Sequence, residues 1–312
     1  VVLDAHPLDG PGDPGPTIAF TEADTDLYDQ FYVQDAVIAS MPDGLKMSLH
    51  DSLATMLIPS AANYAVANAR WAFGSEGAYV QAARSWLSAN GLNDTRIVDA
   101  TGIDERNTST PSDLVALGRI AAANPVVAAI VQTPWITVRG PGTVTNTNDL
   151  LGTLGITGIK TGNLGDGTFN LLFTSTLDVG VGPPLDITGV RMGGATHDST
   201  DEDVANLLQS LQDGFHDLTL GAAGDDIGTI STPWGSRASL VLAKNAALRT
   251  WSDTPVTVNL DTSTPQNYAE GEVVGTVTWT AGPQTTASEV QIKGEIEEPT
   301  LWWRLTHPTE LG

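Results

Sequence analysis

The chain is 312 residues long, enough for two domains, one of them with a sizeable core. Its 41% hydrophobic and 16% charged residues exclude a disordered polymer, and its net charge of -23 argues against nucleic acid or anionic lipid as a partner. Cysteine is absent, which excludes disulfides, thiol nucleophiles and zinc–thiolate sites together, and no apolar run approaches the ~18 residues of a membrane-spanning helix.

Val1-Val2-Leu3-Asp4-Ala5-His6-Pro7 reads as the last turns of a helix stopped by Pro7, with no leader pattern before it, so the chain is expected to be cut at this end. Residues 9–16 (DGPGDPGP) form a turn-rich loop without the graded ligand spacing of a calcium site. Two short apolar stretches follow. Leu49, Leu53, Met56 and Leu57 then recur at helical spacing over residues 48–57, and Pro59 ends that helix. Ser60 stands in the N-cap position of the next, over residues 61–73, whose apolar Tyr64, Ala65, Trp71 and Ala72 are interrupted by Asn68. A third helix is expected over residues 77–89, with Gly91 beyond its end, and Thr110-Pro111 with Asp113 opens a fourth that Asn124-Pro125 interrupts.

From Trp135 the pattern changes to strands, and residues 169–177 and 186–192 read as an antiparallel hairpin. Ser199-Thr200-Asp201-Glu202 is a capping-box pattern ahead of a long helix carrying Val204, Leu207, Leu208, Leu211, Phe215 and Leu218. The polar segment 221–225 marks the domain boundary. Beyond it, residues 239–242, 256–260, 273–279 and 289–292 read as strands of a small sandwich or barrel with no helix. Trp302-Trp303-Arg304-Leu305 reads as a final strand on that domain, and the tail 302–312 is the one segment suited to membrane contact.

Histidine offers little chemistry: His6, His50, His197, His216 and His307 are scattered without metal-ligand spacing, and His197-Asp198 reads as an exposed turn pair. No metal and no cofactor is expected; the acidic surface serves solubility. Lys160-Thr161-Gly162 is the informative tripeptide, on a short strand before the hairpin. There an ammonium can hold a carboxylate, a hydroxyl can donate to it, and glycine leaves room for a substrate backbone alongside. Ser60 lies 100 residues upstream in an interhelical corner after Leu57-Ile58-Pro59.

These features, with Phe73-Gly74-Ser75-Glu76, Gly91-Leu92-Asn93-Asp94-Thr95, Thr101-Gly102-Ile103-Asp104 and Thr147-Asn148-Asp149-Leu150-Leu151, resemble the serine-type D-alanyl-D-alanine carboxypeptidases of the bacterial cell wall. The order of motifs holds over about residues 1–218, and Val273-Val274-Gly275-Thr276-Val277 echoes that family's β-rich C-terminal domain. The resemblance implies an α+β fold: a penicillin-binding, β-lactamase-like domain (a helical subdomain beside an antiparallel sheet, residues 1–220), then a small all-β domain (226–301) and the tail. It also implies an extracytoplasmic protein of the cell envelope that acts on the peptidoglycan stem peptide. In the family the serine of S-x-x-K attacks the D-Ala-D-Ala amide, its lysine acts as base, and water releases the acyl-enzyme; β-lactams acylate the same serine. Carried over by position, Ser60 is the serine of S-x-N, a proton relay, and Lys160, Thr161 and Gly162 are the K-T-G that binds the substrate carboxylate.

The chain departs from the family at three points. Its four lysines, Lys46, Lys160, Lys244 and Lys293, are preceded three residues earlier by Asp43, Thr157, Val241 and Val290, so no S-x-x-K exists, and the nucleophile is expected just upstream of Val1. Ala62 stands where S-x-N has asparagine, with Asn63 one place late. Where family members often carry an arginine, the chain reads Ala195-Thr196-His197-Asp198-Ser199-Thr200. The expected function is that of a hydrolase of this family, which the abrupt Val1 favours; the alternative is an inactive homologue serving as an envelope binding or structural protein, which Ala62 favours. The chain as written is expected to be inactive, β-lactams included, with the Ser60 hydroxyl engaged as a helix cap.

Overall fold

The computed structural model describes residues 1–165, 167–263 and 267–308. Residues 309–312 of the expected C-terminal tail lie outside the described residues. The chain divides into two compact units: Val1–Asp178 with Pro184–Ser210, and Val179–Pro183 with Leu211 onward.

The first unit begins with α1 (Val2–Ala5), β1 (Thr17–Ala19), α2 (Glu22–Tyr32), β2 (Lys46–Ser48), α3 (Leu49–Leu57), α4 (Ala62–Phe73) and α5 (Glu76–Ala89). Helix α2 is absent from the sequence reading. Only Leu27 and Phe31 of it are buried, so its apolar stripe is thin, although Thr21 and Asp24 form a reciprocal capping box at its start. Ser48, Ser75 and Thr110 cap α3, α5 and α6 (Pro111–Ala123) through their side-chain oxygens. Asn124 caps α7 (Pro125–Val131) in the same way. Helix α4 is buried on every side through its first two turns, Ala62 to Ala69, and its polar Asn68 accepts a hydrogen bond from Ser52 Oγ at 2.7 Å. This helix is therefore the centre of the helical core, with Ile18, Leu27, Leu49, Leu53 and Tyr64 packed into the same cluster.

The hairpin β3 (Trp135–Val138) and β4 (Gly142–Thr145) leads into an antiparallel sheet of β5 (Ile156–Gly162), β6 (Phe169–Leu177) and β7 (Leu185–Gly194), in that order. Helix α6 lies against β6 and β7 at Gly118, where a Cβ would come within 3.0 Å of Leu172 and Thr188 side-chain carbons. Strand β5 has one partner, β6, among the described residues, with Lys160 opposite Leu172, so its other edge is open.

Helix α8 (His197–Gly214) starts earlier than the Ser199 box suggests. Thr196 Oγ1 accepts from Ser199 N at 3.1 Å, which makes threonine the capping group. The His197–Asp198 pair accordingly sits in a helical first turn, not an exposed turn. The helix also ends at Gly214. Phe215 and Leu218, which fit its apolar repeat, belong to β8 (Phe215–Gly221) instead, because pairing with β11 overrides local periodicity there.

The second unit continues with β9 (Asp226–Ser231), β10 (Arg237–Leu242), β11 (Ala246–Trp251), β12 (Val256–Thr262), β13 (Val273–Ala281), β14 (Gln284–Lys293) and α9 (Leu301–Thr306). Five strands run in the order β12-β13-β14-β10-β9, and β11, paired with β8, packs against β13 and β14. Val277, Trp279, Val290 and Ile292 form its core. The last segment is a helix, not the expected strand: Thr300 caps it, and Trp303 packs edge-on against Trp234 at a centroid distance of 5.7 Å.

Candidate active site

The chain turns between α3 and α4 at Pro59-Ser60, and Ser60 adopts a φ of 71°, in the left-handed region that side chains beyond glycine rarely occupy. Helix α4 begins one residue later, with Ala61 as its N-cap and no side-chain cap bond. The expected role of Ser60 as a helix cap is thus overturned by backbone geometry. Its hydroxyl instead accepts a hydrogen bond from Lys160 Nζ on the open edge strand. Lys160 Nζ also donates to its neighbour's carbonyl, Thr161 O, at 3.0 Å. Burial pushes the Lys160 ammonium down to about 8, and among the described residues no carboxylate forms an ion pair with it.

Thr161 lies beside Thr147, their hydroxyls 2.6 Å apart. Thr147 N in turn donates to Ile58 O at 3.3 Å, so one residue ties the α3–α4 corner to the K-T-G strand. The sequence reading quoted Thr147 in a motif without assigning it a place in the site. Next to it, Asn148 is buried; its Oδ1 accepts from Leu150 N at 3.1 Å, and its Nδ2 has no partner among the described residues. Gly162 is exposed, and a Cβ there would meet no atom within 4 Å. The fold itself does not require glycine at that position; the open space lies alongside the strand edge.

The asparagine question has a clear geometric answer. Ala62 is buried in the helical core, and its N–H donates to Val37 O at 2.8 Å. Asn63, fully buried, donates from Nδ2 to Ala39 O at 2.8 Å and accepts from Ala39 N at 3.1 Å. Its amide pairs with one backbone unit as a neighbouring strand would, and neither of these hydrogen bonds reaches Ser60 or Lys160. His197 sits near the segment after K-T-G. Asn163 Nδ2 donates to its Nε2 at 3.2 Å, and its ring meets Phe169 edge-on at 4.7 Å. Arg191, on the second hairpin strand, is engaged by Asp203 of α8 at 2.8 Å.

Ser60, Lys160, Thr161 and Thr147 therefore form one cluster of three hydroxyls and an amine beside an open strand edge, while Ala62 and Asn63 face the core. Such a cluster can hold a carboxylate by charge and by hydroxyl donors together. A comparison with solved structures supports the same architecture. The chain is similar to penicillin binding protein 5 from Haemophilus influenzae, with 19% identity, 90% of this chain and 83% of that chain covered, and a TM-score of 0.60. It is similar to the D-alanyl-D-alanine carboxypeptidase DacD from Francisella tularensis, at 16% identity, 91% and 82% coverage and a TM-score of 0.57. The Streptomyces K15 DD-transpeptidase matches at 20% identity, covering 67% of this chain and 83% of its own, with a TM-score of 0.58. These likenesses establish the α+β penicillin-binding fold. A comparison with curated proteins returned no significant match. The family model for D-alanyl-D-alanine carboxypeptidases matches residues 25–180, a segment that contains both Ser60 and Lys160. The chain belongs to the D-alanyl-D-alanine carboxypeptidase family.

Proposed function

We propose that the protein recognises the D-Ala-D-Ala end of a peptidoglycan stem peptide in the cell envelope, and that the 312-residue polypeptide does not itself turn that end over. The contact between Lys160 and Ser60 carries this reading: it sets a cation and a hydroxyl, with Thr161 beside them, on a strand edge open to a peptide. A docked carboxylate would take the charge of Lys160 and a hydroxyl donor from Thr161. Stem-peptide backbone would lie along Gly162, where nothing in the chain obstructs it. In this reading the unit of Val1–Asp178 with Pro184–Ser210 is the peptidase-type domain, the unit from Leu211 onward is the β-rich domain, and α9, with Leu301, Trp302 and Leu305 exposed, is the segment for any membrane contact.

Turnover fails in this reading because an acyl-enzyme of the family type needs an S-x-x-K serine and its lysine, and neither occurs among the chain's residues. The test is a titration with an N-acylated D-Ala-D-Ala peptide and with the same peptide amidated at its C-terminus. The acid is expected to bind at least about tenfold more tightly, the worth of one charge-assisted hydrogen bond. Fluorescent penicillin is expected to leave no adduct. Equal affinity for acid and amide would refute the binding reading, and steady release of D-Ala would refute the loss of turnover. Adding an N-terminal segment that bears S-x-x-K is expected to give slow acylation, and Ala62→Asn in that protein a further gain of about 10²-fold.

A further inference from the structure

Ser60 is not a cap, and its hydroxyl is held against a lysine rather than against backbone N–H groups. A serine and an amine in direct hydrogen-bond contact have the minimal composition of a Ser–Lys nucleophilic dyad. We propose that Ser60, with Lys160 as its base, is itself an acyl acceptor toward neutral activated esters, an activity separate from D-Ala-D-Ala hydrolysis and resting only on this contact. Three observations carry it. The contact joins a helix corner to a strand, so neither side chain reaches the other by chance of local sequence. Ser60 holds a left-handed backbone on the tight corner before α4, and no side-chain cap bond ties up the start of that helix, so its hydroxyl is left to Lys160. No ion pair among the described residues holds Lys160 in its protonated form, and burial favours its free amine.

The step balances without any further reactant. The free amine of Lys160 takes the proton of Ser60 Oγ, a new Oγ–C bond forms at the ester carbonyl, and the carbonyl carbon releases its phenolate or alkoxide. The product is an O-acyl Ser60 beside a Lys160 ammonium. The same geometry explains why the stem peptide would not follow this route. A substrate carboxylate docked on Lys160 keeps the amine protonated and removes the base, so ligands bearing a carboxylate bind and neutral esters acylate. The two uses of the dyad are mutually exclusive.

The experiment treats the full chain with p-nitrophenyl acetate, follows the nitrophenolate burst, and locates the acetyl group by peptide mass mapping. The expected result is one acetyl per chain on Ser60, absent from Ser60→Ala and slowed at least tenfold in Lys160→Met. N-acyl-D-Ala-D-Ala acid is expected to protect Ser60 and its C-terminal amide is not. Circular dichroism of both variants keeps the comparison to folded protein, and Ser60→Gly, whose backbone suits a positive φ, serves if Ser60→Ala does not fold. Acetyl found only on other lysines, histidines or the N-terminal amine would overturn the proposal, as would Ser60 labelling that Lys160→Met leaves unchanged. Loss of the burst with carboxylate binding retained would refute this inference alone. Loss of carboxylate selectivity with the burst retained would refute the binding reading alone.

Discussion

Replacing Lys160 by methionine removes a charge that the fold holds at a disadvantage. A lysine whose ordinary value of 10.5 is depressed to about 8 carries an unfavourable charged form worth about 3 kcal/mol. The side chain keeps partial exposure, so solvent trims this to about 2 kcal/mol. The folded value lies below the unfolded one, so between pH 8 and pH 10.5 the unfolded chain binds more protons and the wild-type protein gains stability as pH rises. Below that window both states are protonated, and the difference between wild type and Lys160→Met is flat. Urea unfolding of the two proteins at pH 7, 8.5 and 10 should therefore show the wild type gaining about 2 kcal/mol on the variant from end to end. Carbon-13 labelling of the four lysines offers a direct view. The resonance lost in Lys160→Met should titrate with a midpoint near 8. A wild-type–variant difference that stays constant or shrinks with pH, or a midpoint above 10, would remove burial as the controlling feature of the site.

Ser60→Gly should be more stable than Ser60→Ala by about 1 kcal/mol, since only glycine adopts the φ of 71° without steric penalty, while both lose the ester burst; thermal melts with the acylation assay check this. Asn63→Ala should lower stability by about 2–4 kcal/mol in urea titrations, because it strands the buried N–H and C=O of Ala39. Thr147→Val should weaken binding of the D-Ala-D-Ala acid several-fold and leave the amide unaffected, with Thr147→Ser restoring it, if its hydroxyl orients that of Thr161. Calorimetric titration with calcium should show no stoichiometric micromolar site despite the -23 charge.

Local chemistry was legible wherever a single element decides the outcome. The cap at Thr110, the break at Asn124-Pro125, the β6–β7 hairpin and the K-T-G strand all follow from side chains within a few residues of one another. The misreadings share a different cause. Phe215 and Leu218 satisfy a helical repeat as well as a strand, and only β11, some thirty residues on, decides between them. Trp302 and Trp303 look alike in sequence, yet one is exposed and the other meets Trp234, a contact no local rule specifies. At Ser60, a serine ahead of an apolar run satisfies every rule for an N-cap; what moves it out of that role is a backbone angle imposed by the corner and a lysine brought in by the sheet.

The two halves of the site are each fixed by something other than the site. Ser60 is positioned by the start of α4, which is buried on all sides and anchored through Asn63 to the backbone of Ala39, a pairing that serves stability whether or not any ligand binds. Lys160 is positioned by the register that sets it opposite Leu172; a slip of one residue would present Thr161 in its place and turn the amine to the other face of the sheet. Core packing and strand register therefore preserve the Ser60–Lys160 contact without any need for an S-x-x-K helix or an S-x-N amide. The 312 residues carry neither S-x-x-K nor an S-x-N amide, and the cation, the hydroxyls and the open strand edge are in place all the same.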